Sequence, residues 1–127
     1  MKRKISFTGM IGLVSLLILA PLSWAESGAI GTMARIVAEL NHYPTAEQKT
    51  TLAAISKDES NSDATRAIAE AIHNVEHKAK AEDVAKLKIV SETESTTEAE
   101  KQLAEIVMHL NHSVSAETKT ALEALAK

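Results

Sequence analysis

Residues 40–52, "LNHYPTAEQKTTL", are followed 70 positions later by residues 110–122, "LNHSVSAETKTAL". When residues 34–57 are aligned with 104–127, 13 of the 24 positions are identical. The chain therefore contains an internal repeat that extends well beyond the two quoted segments.

The offset of 70 residues divides into two offsets of 35, because His42 also aligns with His77 and Leu52 with Leu87. A repeat length in this range is typical of stacked helical hairpins, in which neighbouring units bury each other's apolar faces. We predict an all-α single domain at 26–127, built from three tandem hairpins of about 35 residues. The predicted units are 26–60, 61–95 and 96–127, packed as a compact bundle or as a short α-solenoid.

Each unit carries two runs of apolar residues at helical spacing. Steps of three and four residues place such positions on one face of a helix. In the first helices the predicted core positions are Ile30, Met33, Val37 and Leu40, then Ile68, Ile72 and Val75, then Leu103, Val107 and Leu110. In the second helices they are Leu52 and Ile55, Leu87 and Val90, and Leu122 and Leu125.

Capping residues predict where these helices begin. A hydroxyl or carboxylate side chain in front of a helix accepts a hydrogen bond from a free backbone N–H, and a Glu or Gln three residues later completes a capping box. The predicted caps are Ser27, Ser62, Thr97 with Glu100, Thr45 with Gln48, and Ser115.

The middle unit leaves two alternatives open. Ala79 and Lys80 replace Pro44 and Thr45, so one long helix from about 64 to 90 is conceivable. However, Val84 is nine residues after Val75, which would put it on the opposite face of a straight helix. We therefore expect a turn near Lys78–Lys80.

The first 25 residues read as an export signal. Lys2, Arg3 and Lys4 precede an apolar run that Pro21 ends, and Ser23-Trp24-Ala25 provides small residues at the positions that signal peptidase reads. We expect a Sec-type signal peptide, cleaved after Ala25, and a protein of the periplasm or the exterior. The apolar run is short for a bilayer span of about 20 residues, so we expect no stable membrane insertion after cleavage.

Net charge and aromatic content argue against nucleic acid as a partner. Without residues 1–25, the remaining 102 residues contain 11 basic and 17 acidic side chains, a net charge of −6, and Tyr43 is their one aromatic residue. Nucleic-acid binding usually requires basic stripes and stacking rings, so we do not expect it. The residues leave an unidentified protein partner or self-association as the expected interaction.

The repeated histidines allow two interpretations. His42, His77 and His112 occupy the same position in each unit, at the end of the first helix. There an imidazole can donate to the last free carbonyls of the helix and, when protonated, meets the negative end of its dipole.

The alternative is a metal site built from His and Glu residues at helical spacing. Imidazole and carboxylate ligands suit Zn(II), Cu(II) or Ni(II), and Glu-x-x-His pairs on bundle helices build metal sites. The candidate ligands are Glu39, His42, Glu70, His73, His77, Glu105, His109 and His112.

Catalytic motifs are absent from the sequence. The chain has no Cys and only four Gly, two of them in the predicted signal, so a thiol nucleophile is excluded and a Gly-rich phosphate loop is not supported. We therefore expect a non-enzymatic module without a cofactor, which acts in binding or as a structural accessory. The alternative is a periplasmic His/Glu-dependent protein that binds a divalent transition metal.

Signal cleavage predicts the mass of the exported chain. Protein recovered from a periplasmic fraction should have the intact mass of a chain that begins at Glu26. An Ala25→Arg variant should keep its full length because signal peptidase requires a small residue there, whereas Trp24→Leu, the neighbouring control, should be processed. Recovery of the unchanged full-length chain from the membrane pellet would contradict the prediction.

Overall fold

The computed structural model describes residues 28–127, which form six helices. Helix α1 covers 28–39 of the described chain. It is followed by α2 (Ala46–Lys57), α3 (Asp63–His73), α4 (Ala81–Glu92), α5 (Glu98–Met108) and α6 (Ala116–Leu125). The predicted signal peptide and the predicted cap Ser27 lie outside the described residues.

The all-α prediction is confirmed for this part of the chain. Residues 28–127 contain no β-strand, and neighbouring helices pack against one another. None of the helices in this range combines the length and the apolar character that crossing a bilayer requires.

Four of the predicted caps are present. Thr45 with Gln48 and Thr97 with Glu100 form complete capping boxes. The hydroxyls of Ser62 and Ser115 accept from the backbone N–H three residues later. Helix α4 has no side-chain cap at Lys80. Glu82 and Asp83 in its first turn are negatively charged and stabilise the positive N-terminal end of its dipole.

The middle unit turns, as expected, rather than continuing as one long helix. Helix α3 ends at His73 and α4 begins at Ala81. The connection between α3 and α4 turns although it has Ala79 where the connection after α1 has Pro44. His77, within this connection, has a positive φ of 71°. A continuous helix is thereby ruled out, since a helical residue needs a negative φ.

The core is formed mainly by α1, α3 and α5. Positions 35 residues apart in these helices carry fully buried side chains, and three of these are alanines. Helices α2, α4 and α6 each bury one leucine at positions that are also 35 residues apart. The sets are Met33, Ile68 and Leu103; Ala34, Ala69 and Ala104; Val37, Ile72 and Val107; and Leu52, Leu87 and Leu122, and all of them belong to one apolar cluster.

The beginning of the described chain lies close to its end. A Cβ added to Gly31 would lie 3.4 Å from the carbonyl oxygen of Ala126. Helix α1 is thus in contact with the C-terminal end of α6. In the middle of the chain, α2 packs against α3, α4 packs against α5, and α3 also contacts α5.

Glu100 joins the starts of α3 and α5. Its carboxylate accepts from the Thr97 backbone N–H at 2.9 Å, from the Thr65 hydroxyl at 2.9 Å and from the Ser62 hydroxyl. Burial alone would raise the pKa of Glu100, but the hydrogen bonds from Ser62, Thr97 and Thr65 together outweigh it and hold the pKa below its ordinary value. The ionised form is therefore part of the folded structure.

Replacing Glu100 with Gln should lower the free energy of unfolding at neutral pH by about 1.5–3 kcal/mol, because hydrogen bonds to a buried charge are lost. The folded-state pKa is lowered, so the stabilisation is present above the ordinary glutamate pKa of about 4.3 and is lost as the pH falls through the lower folded value. Urea unfolding at several pH values measures the difference between wild type and variant.

The exposed Glu98, in the first turn of the same helix, provides the control. A Glu98→Gln variant should differ little from the wild type at neutral pH, since surface substitutions usually change stability by less than about 0.5 kcal/mol. Equal effects of Glu98→Gln and Glu100→Gln would contradict the role assigned to the buried carboxylate.

Candidate metal centre formed by three histidines

Three histidines in the described residues have an unusual backbone conformation. The φ angles of His42, His77 and His112 are 73°, 71° and 68°, and no other non-glycine residue in 28–127 has a positive φ. Such angles are uncommon outside glycine and cost free energy unless the surrounding structure enforces them. The same conformation therefore recurs at the same point in each connection.

Backbone hydrogen bonds join these three residues in a closed ring. The N–H of His42 donates to the carbonyl of His112 at 2.8 Å, the N–H of His77 to the carbonyl of His42 at 2.6 Å, and the N–H of His112 to the carbonyl of His77 at 2.5 Å. Each residue donates once and accepts once. The ring brings the connection after α1 against the connection after α5.

Local structure holds each histidine in place from both sides. The residue two positions before each histidine is Leu40, Val75 or Leu110, and its side chain is buried. Its backbone N–H donates to the carbonyl three residues earlier in the chain. Three residues later, the N-cap position starts the next helix. At His112 the N–H of Ser113 also donates to the carbonyl of Asn111 at 2.8 Å, the bond of a γ-turn, which is strained at positive φ.

The three imidazole rings converge beside this backbone ring. Their centroids are 5.0, 5.2 and 5.1 Å apart. The Nδ1 atoms of His77 and His112 are 3.2 Å apart, and one ring nitrogen of each histidine lies within 4.8 Å of those of the other two. The buried Nδ1 of His42 has no hydrogen-bond partner.

The cluster lies at the protein surface and contains no carboxylate. His42 is half-buried, whereas His77 and His112 are exposed. Among residues 28–127 this is the one group of three or more His, Cys, Asp or Glu side chains close enough to share a metal ion. We refer to His42, His77 and His112 as the histidine triad.

The structure gathers three of the eight residues that the sequence suggested as metal ligands and leaves the other five apart. Gln48 Nε2 donates to Glu39 Oε2 at 3.4 Å, and Lys86 lies 3.5 Å from Glu70. The others have different neighbours: His73 Nδ1 lies 3.2 Å from Asn74 Oδ1, and His109 Nδ1 lies 3.9 Å from the Glu105 carboxylate.

The helix-end interpretation fits a different histidine from those proposed. The Nδ1 of His109 lies 2.8 Å from the Glu105 carbonyl in the last turn of α5, which is the contact expected of a helix-end imidazole. Among the described residues, none of the triad rings bonds to a helix-terminal carbonyl; they face one another instead. Of the two interpretations of the repeated histidines, the helix-end contact is therefore not the one that the triad rings make in the described residues.

The convergence of the three histidines was not predicted, although the sequence contains a signal for it. In the connections at positions 41–45, 76–80 and 111–115, the histidine is the one residue that all three share. The neighbouring positions change from Asn to Glu, from Tyr to Lys or Ser, and from Pro to Ala or Val. A shared residue in otherwise divergent connections indicates a role that depends on the imidazole.

Comparison with protein-family models, with curated protein sequences and with solved structures gave no match. The geometry of the triad is therefore the basis for the functional proposal.

Substitutions at His77 test whether its positive φ is enforced by the fold. Asn tolerates positive φ, so His77→Asn should change the metal-free free energy of unfolding little. The β-branched His77→Val should destabilise the protein by about 1–3 kcal/mol, because valine cannot adopt this conformation without strain. Chemical denaturation in the presence of a chelator measures both, and equal stabilities would contradict the enforced conformation.

Proposed function

We propose that this chain is an exported, non-enzymatic binding protein whose ligand is a divalent transition-metal ion held by His42, His77 and His112. The observation that carries the proposal is the convergence of three imidazoles from three separate connections within 4.8 Å. The non-enzymatic class and export are those expected from the sequence. The sequence led us to expect an unidentified protein partner or self-association, and we now propose a metal ion as the ligand instead.

The separation of two of the ring nitrogens fits a shared metal ion. Zinc–nitrogen bonds of about 2.0–2.1 Å place two ligand nitrogens of a tetrahedral site about 3.3 Å apart. The Nδ1 atoms of His77 and His112 are 3.2 Å apart. The unpartnered Nδ1 of His42 would gain, as a metal ligand, an interaction that it lacks in the protein alone.

The ligand type selects a group of metals. Imidazole suits Zn(II), Cu(II) and Ni(II), whereas the calcium and magnesium ions prefer oxygen ligands. The chain has no Cys, so thiolate coordination is excluded as well. The three nitrogens thus favour a borderline divalent ion.

The backbone ring supports binding because it gathers the ligands in advance. Each imidazole extends from a residue whose φ is fixed by hydrogen bonds and by buried neighbours. Little backbone conformational entropy then remains to be lost when the metal binds, and preorganisation of this kind increases affinity.

We further propose that the chain is built as three tandem hairpins closed into a ring, rather than as an open solenoid. In an open stack each repeat contacts only its neighbours, so the first and third units would not meet. The hydrogen bond from His42 to His112 and the proximity of Gly31 to Ala126 support closure. A metal on the triad would then connect all three units.

Calorimetric titration of the purified protein with Zn(II), Cu(II) and Ni(II) tests the proposed site. We expect one ion per chain with a dissociation constant of about 1 μM or tighter, which corresponds to about 8.2 kcal/mol. Affinity should weaken as the pH falls, because protons compete for the imidazole nitrogens. A metal at 100 times its dissociation constant should stabilise the fold by about 2.7 kcal/mol.

Two double variants make the test specific, since each removes two histidines. His77→Asn with His112→Asn retains residues compatible with positive φ but removes two triad ligands, so binding should fall by at least about 100-fold. His73→Asn with His109→Asn should bind like the wild type, because neither residue is in the triad. Equal affinities of the two double variants would overturn the assignment of the triad as the site.

A further inference from the structure

We propose that the metal held by the triad keeps one coordination position open to solvent and that this position binds a small monodentate anion. The inference rests on the proposed metal site and specifies what that site can recognise.

The number of protein ligands leaves a position for another group. The triad offers three imidazoles, and among the described residues no Asp or Glu joins them. Zinc usually takes four ligands, and sites with three protein ligands complete the set with water or an exchangeable group. A bound metal therefore has a fourth position that residues 28–127 do not fill.

Charge favours an anion at that position. Three neutral imidazoles leave the full double charge of the metal uncompensated, and such an ion is the largest local charge in its surroundings. The exposed Glu76 and Lys78 on either side of His77 are of opposite sign, and Glu76 lies 3.8 Å from Lys80. The metal charge is then the main source of attraction for a small anion.

Exposure gives the anion a route to the metal. His77 and His112 are exposed, as are Asn111, Ser113 and Tyr43 beside the triad. The half-buried His42 lies on the protein side of the cluster, with its Nδ1 buried. Solvent can thus approach from the side of His77 and His112.

Azide titration of the Co(II)-loaded protein tests the inference, because the visible absorption of Co(II) reports its ligands. Azide should change the absorption spectrum with saturation at one azide per cobalt, in the wild type and in the His73→Asn, His109→Asn control. Analytical ultracentrifugation of the loaded protein should show one chain per metal ion. The His77→Asn, His112→Asn variant, mixed with Co(II) in the same way, should give no comparable protein-bound spectrum.

The outcomes separate this inference from the proposed function. Tight Co(II) binding with a spectrum that azide leaves unchanged would overturn the open position while retaining the metal site. A metal-linked dimer would also overturn it, because a second chain would then occupy the position. Failure of Co(II), Zn(II), Cu(II) and Ni(II) alike to bind the triad would overturn both proposals.

Discussion

Three backbone hydrogen bonds among His42, His77 and His112 form the constraint on which the arrangement of the chain depends. They form a cycle, so each connection between paired helices is fixed by the other two. A ring of this kind can close only if the connection after the first helix meets the connection after the fifth. All three histidines have a positive φ, so the same backbone conformation accompanies each bond of the cycle.

The core draws on the same three inner helices. Positions 35 residues apart in α1, α3 and α5 each supply a buried side chain to one apolar cluster, and Ala34, Ala69 and Ala104 are among them. The outer helices contribute mainly Leu52, Leu87 and Leu122. Glu100 adds a contact at the other end of two of the inner helices, where it joins the N-terminal caps of α3 and α5. Helices α3 and α5 are therefore linked at both ends.

Much of this fold could be predicted from the sequence, because caps and apolar spacing are local signals. Thr45 with Gln48 and Thr97 with Glu100 marked helix starts that the structure contains. The triad itself was predicted only in part, for a physical reason. The metal hypothesis took its candidate ligands from helical spacing, yet His42 and His77 lie beyond the helix ends at positive φ. The rule that residues three or four apart share a face holds within a helix and fails across such a turn.

A positive φ could have been supplied more easily by glycine or asparagine, which commonly end helices in this way. The protein instead has histidine at all three positions, while the surrounding residues of the connections differ. A purely conformational role does not account for this choice, because the backbone ring uses only N–H and C=O groups that any non-proline residue provides. The side chains converge without a carboxylate and without contacts to helix carbonyls, and one buried ring nitrogen has no partner. The proposed metal ion, bound by three imidazoles, would account for the residue type, its recurrence and its convergence together.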